Sequence, residues 1–365
     1  MSELNFLHSN GNKVKLTTPD TLAANRTLTV PGNADAQLAS TVNSGIITAT
    51  HFNTSSTTYE IDYLVVGGGG QGGDQHGGGG GAGGLKNSFR GEKSGGGLSA
   101  YMPIRTAKGV TYTVTVGAGS GSSHPGNGQD GADGSDSSIA GTGGFTTISC
   151  NGGGGAGHHD GGAQGRSGGS GGGGGLTGSG GHSDLDQGYG GGDNPGSGYA
   201  SFPQNGSGGG GAGGPGGNPA MNSRPTDNNY GAFGGEGVFS TITGTPTGYA
   251  GGGSGGSHSP HYPSSGTAHN GDPRAGHQIN IGKRYGGADG GLGNSGGGSN
   301  ATANTGGGGG GSGGQGLACG GGGSGIVILR MPTAYYTGTV TGSPTVTTDG
   351  SDTVVKFTGS GTYVS

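Results

Sequence analysis

The chain has 365 residues, of which 106 are glycine and 15 are proline, a composition typical of unstructured low-complexity sequence. Hydrophobic residues make up only 25%, which excludes the large apolar core expected at this length. The net charge of -5 excludes the basic surface that binds nucleic acid. No apolar stretch is long enough for membrane insertion, and residues 1–10 carry no secretory signal.

Residues 1–58 are glycine-poor and form a predicted N-terminal β segment. Alternating polar and apolar residues predict strands at 14–17 and 26–30, and 18–21 has turn chemistry. Strands this short are marginal in water unless other strands join them. We therefore expect this segment to attach or oligomerise the protein.

Residues 59–330 are predicted to combine a small β platform with glycine-rich segments. Strands are predicted at 59–66, 110–116, 138–139, 145–148 and 326–329. The last of these has four consecutive apolar residues, which indicates a strand covered on both faces. Residues 331–365 are predicted to form a C-terminal β tail with strands at 336–345 and 353–363.

Blocks of four to six glycines recur at 67–70, 77–81, 152–155, 171–175, 208–211 and 306–311. Glycine blocks are poor helix and sheet formers because they lose the most backbone entropy and bury no side chain. An extended helix with three residues per turn is open to them, but it has no internal hydrogen bonds. Buried N–H and C=O groups need partners, so such helices must pair sideways with one another.

The order of these motifs closely resembles the glycine-rich tail-fibre and adhesin proteins of tailed bacteriophages. The resemblance rests on YLVVGGGG at 63–70, GGAGGL at 80–85, YTVTVGAG at 112–119 and GSGIVILR at 323–330. The stretch 15–31 also looks like a strand-turn-strand unit of phage fibres. The resemblance implies a sandwich of polyglycine-II helices whose variable loops, at one end, bind the host surface. Residues 257–285 and the chain after 330 depart from the family pattern.

Four inserts interrupt the glycine blocks, at 182–187, 199–205, 221–233 and 257–285. As a group they contain aromatic and arginine residues together with serine, glycine and asparagine, the mixture used by binding loops. Alternatively, the rings cap the glycine helices and cover the platform. We predict that the inserts converge at the end away from the platform. The receptor-binding candidates are Tyr199, Phe202, Arg224, Tyr230, Phe233, Tyr262, Arg274 and Tyr285.

Evidence for other chemistry is weak. The histidine and acidic residues at 158–160 and 182–186 have no known metal-site spacing, and the aspartates at 130–136 only faintly resemble a calcium-binding repeat. No catalytic constellation and no cofactor motif stands out, so we predict neither catalysis, cofactor nor metal. Cys150 and Cys319 are either buried thiols or a mutual disulfide.

The sequence therefore predicts a mainly β protein with polyglycine-II, acting as a virion tail fibre or distal adhesin. Its expected partners are a bacterial cell-surface receptor, either a glycan or an outer-membrane protein, and other virion tail proteins. We expect a homotrimer, the usual symmetry of such fibres, located on the virion and extracellular after host lysis. The alternatives are a purely structural decoration or filament subunit, and an ice-binding protein, which the charged and aromatic inserts disfavour.

Overall fold

The computed structural model describes residues 58–122, 128–159, 162–195, 205–219, 232–257, 285–293 and 296–365, with the backbone of two N-terminal strands. The chain divides into two compact units, Met1–Ser56 and Thr57–Ser365. Across the described residues, no helix is both long and apolar enough to cross a membrane.

The first unit contains an antiparallel strand pair. Strand β1 (Glu3–Leu7) pairs with β2 (Lys13–Thr17), so that Glu3 lies opposite Thr17. Strand β2 is the strand predicted at 14–17, whereas its partner β1 was not predicted. The strand predicted at 26–30 lies outside the described residues.

The second unit contains thirteen strands among its described residues: β3 (Tyr59–Val66), β4 (Leu85–Asn87), β5 (Ile104–Thr106), β6 (Thr111–Thr115), β7 (Ser137–Gly141), β8 (Ile148–Cys150), β9 (Val238–Ser240), β10 (Thr247–Tyr249), β11 (Ile326–Pro332), β12 (Val340–Thr341), β13 (Thr345–Asp349), β14 (Asp352–Phe357) and β15 (Gly361–Val364). Most of them form two antiparallel sheets. The first has the order β13-β14-β11-β3-β4, with β5 also pairing with β3, and the second has the order β12-β15-β6-β7-β8. A separate hairpin is formed by β9 and β10. The described residues are thus mainly β, as predicted, and their helical content is limited to short 3-10 turns such as Gly95–Gly97 and Thr333–Tyr335.

Strand β11 is buried on both faces, which confirms the prediction from its apolar sequence. Val327 and Leu329 lie in the main core, which contains residues of both sheets. Ile326 and Ile328 belong to a second core on the opposite face, with Leu85 and side chains of the β9–β10 region. The few large apolar residues of the chain are therefore concentrated in and around the sheets.

Residues 331–365, set apart by the sequence as a tail, belong to both sheets. Strand β14 pairs with β11, and β15 pairs with β6. The strand predicted at 353–363 is wrong as one element, because the chain turns at 358–360 and passes from the first sheet to the second. The strand predicted at 336–345 is likewise reduced to the two residues of β12, which end before the separate strand β13.

Both cysteines are buried free thiols, which is one of the two alternatives left open by the sequence. The Cys150 thiol donates a hydrogen bond to the Val65 carbonyl at 3.3 Å. Burial raises the pKa of both thiols, that of Cys319 to about 12. Both groups therefore behave as small apolar side chains at neutral pH.

The glycine-rich segments leave the strands and pair sideways, with a three-residue period. In segment 67–73, the amides of Gly67, Gly70 and Gly73 all donate to one neighbour, segment 77–84, at 2.8 to 3.0 Å. The amides of Gly68 and Gln71 donate to a second segment, at 132–135, and those of Gly69 and Gly72 donate to a third, at 320–323. Successive amides thus point in three directions in turn.

Segment 77–84 lies at the centre of this bundle and is buried along its whole length. Its backbone hydrogen bonds reach six described segments, at 67–73, 151–157, 170–173, 207–210, 253–256 and 306–309. The approach is close, because a Cβ atom added at Gly80 would lie 2.1 Å from the Gly70 oxygen. Only glycine permits packing at this distance, so the bundle depends on the glycine blocks.

Side chains replace a missing neighbour at one edge of the bundle. Asp130, Asp133 and Asp136 follow one another at intervals of three, and their carboxylates accept hydrogen bonds from the amides of His158, Gly155 and Gly152 at 3.2, 2.9 and 2.8 Å. The aspartate spacing matches the three-residue period of the segment that it caps. We call these three residues the aspartate ladder. The run at 130–136, which faintly resembles a calcium-binding repeat, therefore has a structural role in the bundle.

Replacing Gly173 with valine should destabilise the fold strongly. A Cβ atom there would lie 2.3 Å from the Ser207 oxygen, so we expect a loss of about 3 kcal/mol or more, measured by thermal melting and trypsin resistance. Ser207 is itself fully buried and cannot serve as a control. The control is Gly121→Ala, because nothing lies within 4 Å of a Cβ atom at Gly121. Equal melting temperatures for the two variants would contradict the close backbone packing around Gly173.

The aspartate ladder makes a second prediction. Asp133→Ala removes the only side-chain acceptor shown for the buried Gly155 amide and should cost about 1–2 kcal/mol in chemical denaturation. Asp133→Asn keeps an acceptor oxygen and loses mainly the exposed ion pair with Arg166, so it should cost under about 1 kcal/mol. The ladder has no stabilising role if the alanine variant is no less stable than the asparagine variant.

Candidate functional site

The ends of three inserts meet at the end of the bundle away from the sheets, called here the distal end. Asn205, the last residue of the second insert, forms a bridge with Ser257, where the longest insert begins. The Ala232 amide donates to the Gly206 carbonyl at 3.0 Å, and the Gly206 amide donates to Gly256 at 2.9 Å. Chain positions far apart in sequence are therefore joined by backbone hydrogen bonds. These residues form the distal junction.

Asparagine side chains fix the distal junction. The Asn194 side-chain amide donates to the Asn205 carbonyl at 2.6 Å, and both residues are buried. The Asn218 side-chain oxygen accepts from the Asp193 amide at 2.9 Å. These asparagines were not among the sequence candidates, although Asn194 and Asn218 lie between a glycine block and the next insert and Asn205 ends an insert. Their position beside glycine blocks was the sequence signal that could have identified them.

A buried polar turn lies beside the distal junction. Gln75 and His76 have left-handed backbone angles of φ 52° and 60°, which tighten the reversal between two glycine segments. Asp74 is fully buried, and its carboxylate accepts from the Gln75 amide at 2.8 Å. The His76 and His159 rings meet edge to face at 5.7 Å. Polar groups buried in this way rigidify the end of the bundle when their hydrogen bonds are made.

Two of the eight receptor-binding candidates lie in the described part of the chain. Phe233 is half-buried in a glycine segment, and its carbonyl accepts from the Gly217 amide at 2.9 Å. Tyr285 packs on Phe239 of β9, with ring centres 4.6 Å apart, and thus lies at the sheet end of the bundle. The other six lie outside the described residues: Tyr199, Phe202, Arg224, Tyr230, Tyr262 and Arg274.

The insert at 182–187 does not lie at the distal end, so the prediction that all four inserts converge there is wrong for it. Asp186 pairs with Lys86 of β4 at 3.1 Å and accepts from the Tyr101 hydroxyl at 3.2 Å. Burial alone would raise the pKa of Asp186, but the hydrogen bond and charge of Lys86 hold it below its ordinary value. The insert turns where two glycine segments reach the sheet and therefore caps that end.

The two groups of possible metal ligands are also separated. His158 lies toward the distal end, with its ring nitrogen 2.7 Å from Asp130, whereas the backbone of His182 pairs with Gly168 near the sheets. Within the described ranges, no three histidine, cysteine or acidic residues are placed to hold a metal ion. The described residues therefore form a rigid frame for loops and do not form a cluster of metal ligands.

Comparison with known proteins places the architecture in a family. A family model described as a glycine-rich domain matches residues 44–332, which include the glycine bundle and most of the strands that support it. Neither the curated proteins nor the solved structures contain a match to the chain. The chain belongs to the glycine-rich domain family.

Proposed function

We propose that the glycine segments are polyglycine-II helices stacked as a sandwich. The three-residue period of the lateral hydrogen bonds supports this, because a polyglycine-II helix has three residues per turn. The six neighbours of segment 77–84 match the packing of rods in a bundle. A segment of seven residues is then about 22 Å long at the standard rise of such a helix.

On this scaffold, we propose that the protein is a virion tail-fibre or distal adhesin protein that binds a bacterial surface receptor. The observation that carries the proposal is the distal junction, where the ends of three inserts are held together by buried backbone and asparagine hydrogen bonds. Binding residues are often placed on loops held by a rigid scaffold. The aromatic and arginine content of these inserts suits a binding surface.

Attachment and oligomerisation are assigned to the N-terminal unit as part of the same proposal. Its β1–β2 pair is a two-stranded sheet, which is marginally stable alone in water. Association of three copies, as in the fibres that the sequence resembles, would supply additional strands and apolar contacts. The mass of the full chain in solution should be that of three chains or a multiple of three, and a stable monomer would contradict this part of the proposal.

Receptor binding predicts that Tyr230→Ala combined with Tyr262→Ala abolishes adsorption of the purified protein to host cells. A role in binding also requires that the melting temperature change little, because a variant that lost adsorption by unfolding would carry no information about the receptor surface. The matched control is Tyr335→Ala, which removes an exposed ring stacked on Tyr59 at the sheets and should leave adsorption intact. Unchanged adsorption of the double variant would favour a purely structural virion subunit.

A further inference from the structure

Strand β13 is an open edge of the six-stranded sheet. It pairs with β14 on one side only, from Thr345 opposite Lys356 to Asp349 opposite Asp352. Thr345 to Thr348 are exposed, and Val346 is 40% accessible. Among the described residues, none forms a backbone hydrogen bond with the other side of β13.

The hairpin determines which backbone groups of β13 point outward. Two residues, Gly350 and Ser351, connect the strands, so Asp349 and Asp352 form the hydrogen-bonded pair that closes the turn. Hydrogen-bonded and non-hydrogen-bonded pairs alternate along an antiparallel ladder. The N–H and C=O groups of Val346 and Thr348 therefore point away from β14.

This edge lacks the usual protection against strand pairing. Natural edge strands are commonly blocked by lysine, proline, a bulge or an inward-pointing charge. The register of β13 is continuous, and its one charged residue, Asp349, is paired with Arg330 at 2.8 Å. The edge is therefore neutral and rich in β-branched residues, which favours pairing with a further strand.

We propose that β13 is a docking edge for a second copy of this chain, which pairs through its own β13. A two-fold axis through Thr347 places Val346 of each copy opposite Thr348 of the other. The outward groups of these residues then form two hydrogen-bonded pairs, which amount to four backbone hydrogen bonds across the interface. The edge is self-complementary, as a two-fold interface requires.

The neutral edge allows a second copy as the occupant, and its self-complementary register favours one. Two identical charged edges would repel one another, whereas the ion pair with Arg330 reduces that repulsion at β13. The contact also continues an existing ladder, because it joins two six-stranded sheets edge to edge. It is independent of receptor binding and of the association assigned to the N-terminal unit.

Register-specific disulfide formation tests this contact in the full-length chain. In the two-fold arrangement, Thr347 lies opposite its counterpart in a non-hydrogen-bonded pair, with about 4.5 Å between the Cα atoms, within reach of a disulfide. Thr347→Cys should therefore give a covalent dimer on a non-reducing gel under mild oxidation. The native cysteines are buried and should not contribute.

The control is Thr345→Cys, an equally exposed position on the same strand. Its counterpart lies four positions out of register, so at least about tenfold less dimer is expected. Adding Thr348→Pro to Thr347→Cys removes an outward N–H but no bond to β14, and should suppress dimer formation while the melting temperature is retained. The proposal is overturned if neither cysteine variant dimerises, if both do so equally, or if the proline has no effect on a folded protein.

Discussion

Pairing of backbone polar groups is the constraint on which this structure depends. The glycine segments have almost no side chains to bury, so their stability comes from lateral N–H to C=O bonds between neighbours. Those bonds form only where backbones approach closely. At Gly80, for example, an added Cβ atom would lie only 2.1 Å from the Gly70 oxygen. A Cβ atom at a central glycine such as Gly80 would displace a neighbouring segment. The outer faces tolerate Asp130, Asp133 and Asp136 because these side chains accept hydrogen bonds from amides left unpaired.

The sheets provide what the glycine segments cannot. The apolar residues available to the chain are concentrated in strands such as β11 and the second half of β3, at 63–66, which are buried on both faces. Glycine segments continue directly from these strands, as at Val66 and Gly67, and return to them at Leu85 and Ile326. The sheets therefore set the register of the first and last segments. Hairpin β9–β10 and the turn at 182–187 close the same end, which leaves the distal end to hold the inserts.

The sequence predicted the strands with continuous or alternating apolar residues, including β3 with its observed bounds and the double-sided burial of β11. It also predicted that the glycine backbone would pair sideways. It did not predict which segments are neighbours, because identical glycines carry no side-chain information about partners. Register comes instead from the strands, from the aspartate ladder and from asparagines such as Asn194. The insert at 182–187 was assigned to the wrong end because a break between glycine blocks does not show at which end of a glycine segment the chain turns.

Amide hydrogen exchange of the full-length protein labelled with nitrogen-15 glycine tests the central claim most directly. The account predicts that amides of segment 77–84, such as that of Gly80, exchange only on opening reactions within about 1–2 kcal/mol of global unfolding. Gly121, on the exposed edge, should exchange far faster. Exchange of the Gly80 amide at the rate of an unstructured peptide, in a protein whose strands remain protected, would contradict the account.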